Sequence, residues 1–195
     1  MKMSRTLDKA EAIFFEFCIG NDLDVLVVPE GDAPSVDFEV NFSGYKIAFE
    51  IKTITEIDGW SESGVSGRVV GKKVGSKLRD ASKQMQFLRK NKVPAVVLIY
   101  NSVDPMQLFG TEPHDFICSM YGNFQINVGS AGSRKTTFGR SSMFSRTKNT
   151  SFSAIGSLSD CMGFTSVRLF ENTHAAVPIE YSRLPSCIDV VKVRG

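Results

Sequence analysis

The sequence predicts an α/β protein with a central mixed sheet flanked by helices. Three observations predict it. A helix-spaced apolar stripe opens the chain, residues 36–51 alternate in character about a Ser-Gly pair, and a basic amphipathic segment precedes the apolar run at 94–100. The resulting order is helix, three strands, helix, strand over about residues 5–100, followed by a C-terminal α+β extension over about 101–195. No internal repeat and no linker divides the chain, so its 195 residues are read as one domain.

The elements follow in order. Over residues 6–20, Leu7, Ala10, Phe14, Phe17 and Cys18 recur at three- and four-residue spacing, Ile13 and Phe15 widen the stripe, and Gly20 is placed to end the helix. Residues 24–28, DVLVV, read as a first short strand. Ser43 and Gly44 then sit between two alternating runs, as a two-residue hairpin loop does. That loop sets Phe42 opposite Tyr45, Val40 opposite Ile47, Phe38 opposite Phe49, Asp37 opposite Glu50 and Val36 opposite Ile51. A Gly- and Ser-rich stretch from Glu56 to Gly75 contains Trp60 and is long enough to be a functional loop. Ser76 is placed to cap a helix running to about Lys90, with Leu78, Ala81, Met85 and Leu88 inward. Pro94 to Tyr100 reads as a buried fourth strand. Further on, a helix is expected within Asp104–Tyr121 and a strand over Asn123–Val128. A basic loop is expected over Ser130–Thr150, a small-residue helix over Phe152–Met162 and a strand over Ser166–Phe170.

The hairpin carries the chemistry. Alternation puts Val36, Phe38, Val40, Ile47, Phe49 and Ile51 on one apolar face. Glu50 and Lys52 share the other face, with Asp37 as their cross-strand neighbour. Two carboxylates and an ammonium on so apolar a hairpin are costly unless they pair or bind a metal. Glu39 has the same parity, but Asp37 is preferred because it opposes Glu50 directly.

The pattern Pro34-x-x-Asp37 followed by Glu50-Ile51-Lys52 resembles the PD-(D/E)xK nuclease superfamily, whose fold is restriction-endonuclease-like. The proline stands two residues further from the aspartate than in the family's eponymous pair. The resemblance covers about residues 5–100 and shares that family's α-β-β-β-α-β core order. It implies a Mg2+ site, with Mn2+ able to substitute, held by Asp37, Glu50 and the Ile51 carbonyl; oxygen donors suit this hard cation. Lys52 would orient the attacking water or stabilise developing charge. The resemblance also implies a further carboxylate on the first helix, for which Glu11 is the candidate and Glu16 the competitor. Lys77 and Gln84, two turns apart on the next helix, match positions that contact phosphate or support the site in related nucleases.

Charge distribution points to the partner. Net charge is +2, from 23 basic and 21 acidic residues. Residues 65–92 hold nine basic side chains against Asp80, Lys72, Lys73 and Lys77 among them; residues 133–150 hold five, including Arg134 and Lys135, with no acid. Two such segments suggest a polyanion-binding face, with Trp60 available to stack on a base. The expected partner is nucleic acid, DNA ahead of RNA, with a protein partner or homodimer also considered and no membrane. The function expected is phosphodiester hydrolysis; the alternative is a non-catalytic nucleic-acid-binding or protein-interaction domain that keeps the fold. No stretch reaches the length of about 18–20 apolar residues needed to span a bilayer. Asp8, Glu11 and Glu16 argue against an N-terminal secretory signal. Cys18, Cys118, Cys161 and Cys187 lie far apart, as reduced thiols of an intracellular, cytoplasmic protein would. With two histidines and no cysteine cluster, structural zinc is not expected, and neither G-x-S-x-G nor a P-loop is present.

Overall fold

The computed structural model describes residues 5–29, 31, 35–56, 69–104, 106, 109–128, 134–139 and 142–193; for 124–128 and 134–138 it describes backbone only. Its elements are α1 (Lys9–Gly20), β1 (Asp24–Val27), β2 (Phe38–Phe42), β3 (Tyr45–Ile54), α2 (Lys72–Asp80), α3 (Ser82–Lys90), β4 (Ala95–Asn101), α4 (Pro113–Tyr121), β5 (Phe124–Val128), β6 (Arg134–Phe138), β7 (Ala154–Cys161), β8 (Phe164–Glu171) and β9 (Ile188–Val191). Seven strands form one mixed sheet in the order β1-β2-β3-β4-β7-β8-β9, and β5 pairs with β6 apart from it. The fold is therefore mixed α/β, as the sequence predicts.

The hairpin register is the expected one. Phe42 pairs with Tyr45, Val40 with Ile47 and Phe38 with Phe49. Ser43 and Gly44 both have positive φ, 52° and 84°, as a two-residue turn matched to strand twist requires. Phe38, Val40, Ile47, Phe49 and Ile51 face α1, whose Phe14 ring lies 5.3 Å from Phe38 and 5.0 Å from Phe49, centroid to centroid. Val36 departs from the expectation. It lies in the core on the opposite face with Ala48 and Ile54, because the chain bends at Asp37 before β2 begins. β4 is buried at every position; it runs parallel to both β3 and β7, with helices or segments packed over each face.

Helix boundaries differ from the expectation in instructive ways. Asp8 caps α1 by accepting the Glu11 amide, while Glu11 Oε2 accepts the Asp8 amide; the helix runs through Gly20, and the chain leaves it by way of Asn21 and Asp22. The predicted helix to Lys90 starts earlier and is two helices, broken by a turn at Ala81 with ψ near −4°. Leu78, Ala81, Met85 and Leu88 nevertheless all face the core. Ser76 lies inside α2, and the start is set by Gly71, φ +75°. A Cβ on Gly71 would lie 2.9 Å from the Asp115 carbonyl and the Ser119 amide, so glycine is required twice over.

Beyond residue 101, α4 and β5 fall where a helix and strand were expected, and the expected basic loop contains β6. The predicted helix over 152–162 is instead β7, a central strand that makes the extension continuous with the main sheet. Its small residues serve close packing: a Cβ on Gly156 would meet the Arg168 carbonyl at 2.6 Å and Leu98 at 2.8 Å. Sequence periodicity has no access to that constraint. No helix among the described residues is long and apolar enough to cross a membrane, and all four cysteines are unpaired.

Asp115 joins two helix starts. Its buried carboxylate accepts the Gly71 amide at 2.9 Å and the Glu112 amide at 3.2 Å, and so orders both α2 and α4. Asp115→Ala should therefore destabilise the fold by about 2 kcal/mol or more, since it strands buried amides. Urea unfolding checks this; an unchanged midpoint would show that the two starts are held by other contacts.

Candidate active site

The site forms where the β2–β3 ladder ends. The Asp37 amide donates to the Phe49 carbonyl at 3.1 Å, and its carbonyl accepts the Val28 amide at 2.9 Å. The side chain replaces the next ladder bond: Oδ2 accepts the Ile51 amide at 2.7 Å. Glu50 and Lys52 point from β3 toward the α2–α3 face, alongside Ala48 and Ile54. Lys52 Nζ lies 2.6 Å from Glu50 Oε1, and Gln84 of α3 donates to the same oxygen at 3.3 Å. From the other face, α1 brings Glu11, which is 7% exposed, while Glu16 is solvent-exposed.

Arg5 connects these groups, and sequence reasoning missed it. Its Nη1 donates to Glu11 Oε1 at 2.9 Å and its Nη2 to Asp37 Oδ1 at 3.0 Å. No periodic signal marks a residue ahead of a helix as a partner of a residue 32 positions on. The nearest clue is the capping box, which fixes Glu11 Oε2 and leaves Oε1 to point elsewhere.

Glu11 and Asp37 share one pattern, and Glu50 departs from it. Glu11 and Asp37 each give one oxygen to a backbone amide and turn the other to Arg5. Glu50 gives Oε1 to Lys52 and Gln84, and its buried Oε2 has no hydrogen-bond partner among the described residues. An unmatched buried carboxylate oxygen costs on the order of 1–3 kcal/mol. Burial, followed by the Glu50 charge, pushes Asp37 up to about 7, with the Ile51 amide pulling the other way. Burial also raises Glu50, against the hydrogen bond and charge of Lys52.

The remaining candidates are placed as follows. Glu39 is taken by Lys46 across the hairpin at 2.8 Å. Lys72 is exposed at the start of α2, and Lys73 donates to the Glu56 carbonyl just past β3. Lys77 is half-buried on α2, so it and Gln84 lie on different helices rather than on one flank. Arg134 and Lys135 are on β6, opposite Val128 and Asn127, outside the main sheet. Pro34 and Trp60 lie outside the described residues. A second acidic group was not anticipated. Glu112, His114 and Asp115 bring three ligand atoms within 4.8 Å of one another. Glu112 and Asp115 serve the α4 capping box and the Gly71 amide, and His114 Nε2 lies 3.5 Å from Glu112.

The Asp37 shift fixes a pH dependence. Its value lies above the ordinary 3.8, so its stability contribution is complete below about pH 4 and is lost as pH rises through about 7. In EDTA, the melting temperature should therefore fall between about pH 4 and 7, and Asp37→Asn should flatten that fall. Divalent-cation affinity should run the other way, rising with pH as Asp37 ionises. Calorimetric Mn2+ titrations across this range check it, and a pH-independent affinity would rule Asp37 out as a titrating ligand.

Compared with known protein families, curated proteins and solved structures, the chain gives no match. The chemistry of the site is therefore read from its own residues.

Proposed function

We propose that the chain is a divalent-metal-dependent nuclease that hydrolyses phosphodiester bonds, with DNA ahead of RNA as substrate. The observation that carries this reading is the gathering of three carboxylates where the β2–β3 ladder ends: Glu11 and Asp37, each with one oxygen on Arg5, and Glu50, whose buried Oε2 is unmatched among the described residues. These donors fit Mg2+ or Mn2+, which favour carboxylate oxygen. The element order through β4, with β3 antiparallel to β2 and parallel to β4, supports a restriction-endonuclease-like core.

Glu11, Asp37 and Glu50 would hold the cation, with the Ile51 carbonyl as a further candidate. When bound, it would polarise the phosphate and supply an activated water. Lys52, a quarter exposed and fixed on Glu50, is placed to orient that water or to stabilise charge on the phosphate oxygens. Gln84 holds Glu50 from α3. Lys72 and Lys73 stand in the first turn of α2, where no acidic side chain complements the helix dipole. Cations there are unfavourable on their own account, and a polyanion alongside would offset that cost.

A second reading has one observation in its favour. Arg5 and Lys52 already neutralise much of the cluster, as they would in a non-catalytic domain held by buried ion pairs. Incubation with plasmid, linear and single-stranded DNA and with RNA, each with Mg2+, Mn2+ or EDTA, separates the two readings. The nuclease reading requires metal-dependent cleavage of at least one substrate.

Two outcomes are expected beyond this. Asp37→Ala or Glu50→Ala should abolish metal binding and cleavage in a folded protein, while Lys52→Ala should bind metal and lose most turnover. Mn2+ calorimetry with cleavage assays checks this; wild-type turnover by Lys52→Ala would exclude its catalytic role. Neutralising Lys72, Lys73 and Lys77 together should weaken binding to all sequences alike and flatten its salt dependence, by about one unit of slope per lost phosphate contact. An unchanged slope would assign these lysines to a merely solvated surface.

A further inference from the structure

Arg5 occupies the oxygens that a metal would need. Its two terminal nitrogens bridge separate carboxylates, at 2.9 Å to Glu11 Oε1 and 3.0 Å to Asp37 Oδ1. The opposite oxygens of both carboxylates are pinned to the Asp8 and Ile51 amides, so neither group can turn a second oxygen to a new ligand without breaking a backbone bond. A guanidinium is also wide. Spanning it sets two oxygens further apart than a small cation would, since Mg2+ draws its ligands to about 2.1 Å. Finally, Arg5 precedes the α1 cap at Asp8 and belongs to no helix or strand, so it can leave without unwinding an element.

We propose that Arg5 is a resident cation of this site, bridging Glu11 and Asp37 when no divalent cation is bound and giving up both oxygens when one binds. The proposal rests on the metal-binding reading above and adds a competition to it. A cation of charge +1 that bridges two carboxylates holds the acidic cluster together. A divalent cation must then displace it, so metal affinity is lower than the carboxylates alone would give. Arg5 is thereby a positioning residue for the metal ligands.

The test compares wild type, Arg5→Gln and Arg5→Lys by Mn2+ calorimetry and by melting in EDTA and in Mn2+. Because the arginine and the metal are linked through the same oxygens, Arg5→Gln should bind Mn2+ roughly fivefold or more tightly than wild type. Its melting temperature should drop in EDTA and recover in Mn2+, with Arg5→Lys between the two. Mn2+ affinity in Arg5→Gln that is equal to or weaker than wild type overturns the proposal while leaving the metal site standing. Failure of both proteins to bind Mn2+ overturns the metal site and the proposal together. A second measurement uses wild type only, in case the variants fold poorly. The Arg5 side-chain N–H resonance should be protected from exchange in EDTA and lose that protection on adding Mg2+; protection that persists with Mg2+ bound overturns the displacement.

Discussion

Glu50 is the residue around which this structure is constrained. It is 3% exposed, on a strand whose neighbours are apolar, and a carboxylate there must find partners or remain neutral. One oxygen is matched by Lys52 and Gln84; the other is buried and unmatched among the described residues. Its charge is also the largest electrostatic influence raising Asp37, so the two groups titrate as neighbours rather than as independent acids. A fold under pressure for stability alone would have no use for this arrangement. Buried ion pairs are often no better than well-packed apolar residues of the same size.

The architecture gathers these groups from several elements at a single place. β3 pairs antiparallel with β2 and parallel with β4, so the hairpin brings Asp37 back beside Ile51 while the crossover lays α3 over Glu50. α1, anchored by Phe14 on Phe38 and Phe49, reaches the same place from the opposite face. Asp37 is able to take a ladder bond of β3 because the chain bends there and β2 has not yet begun. The same bend turns Val36 into the other core. A local departure from strand geometry thus frees a carboxylate to act on its neighbour's amide.

What was legible in the sequence follows from what local pattern can encode. The hairpin register was readable because a period of two and a Ser-Gly turn admit one pairing that buries Phe38, Val40, Ile47 and Phe49 together. β4 was readable from its length and apolarity. The break at Ala81 was not, because Leu78, Ala81, Met85 and Leu88 keep helical spacing across it. β7 was misread because Gly156 and its small neighbours are dictated by strands packed against them, and these come from distant sequence. Within the site, the parity of Glu50 and Lys52 and the placement of Asp37 were visible. Arg5 was not, since it gains its role by reaching from outside any periodic element to two carboxylates that the fold assembles.

The hydrogen-bond pattern of the carboxylates weighs against a purely structural cluster. A cluster selected for stability alone would match each of its charged oxygens with a donor. Here the fixed donors, the Asp8 and Ile51 amides, each hold a single oxygen and thereby orient the other. Backbone amides are the least mobile donors a protein has, so the outward oxygens of Glu11 and Asp37 are preorganised whatever their partner. The partner they meet is the Arg5 side chain, on a segment outside the helices and strands. Fixed acceptors facing a side-chain cation, next to a buried oxygen with no hydrogen-bond partner among the described residues, are the features that the proposed exchange of cations would use.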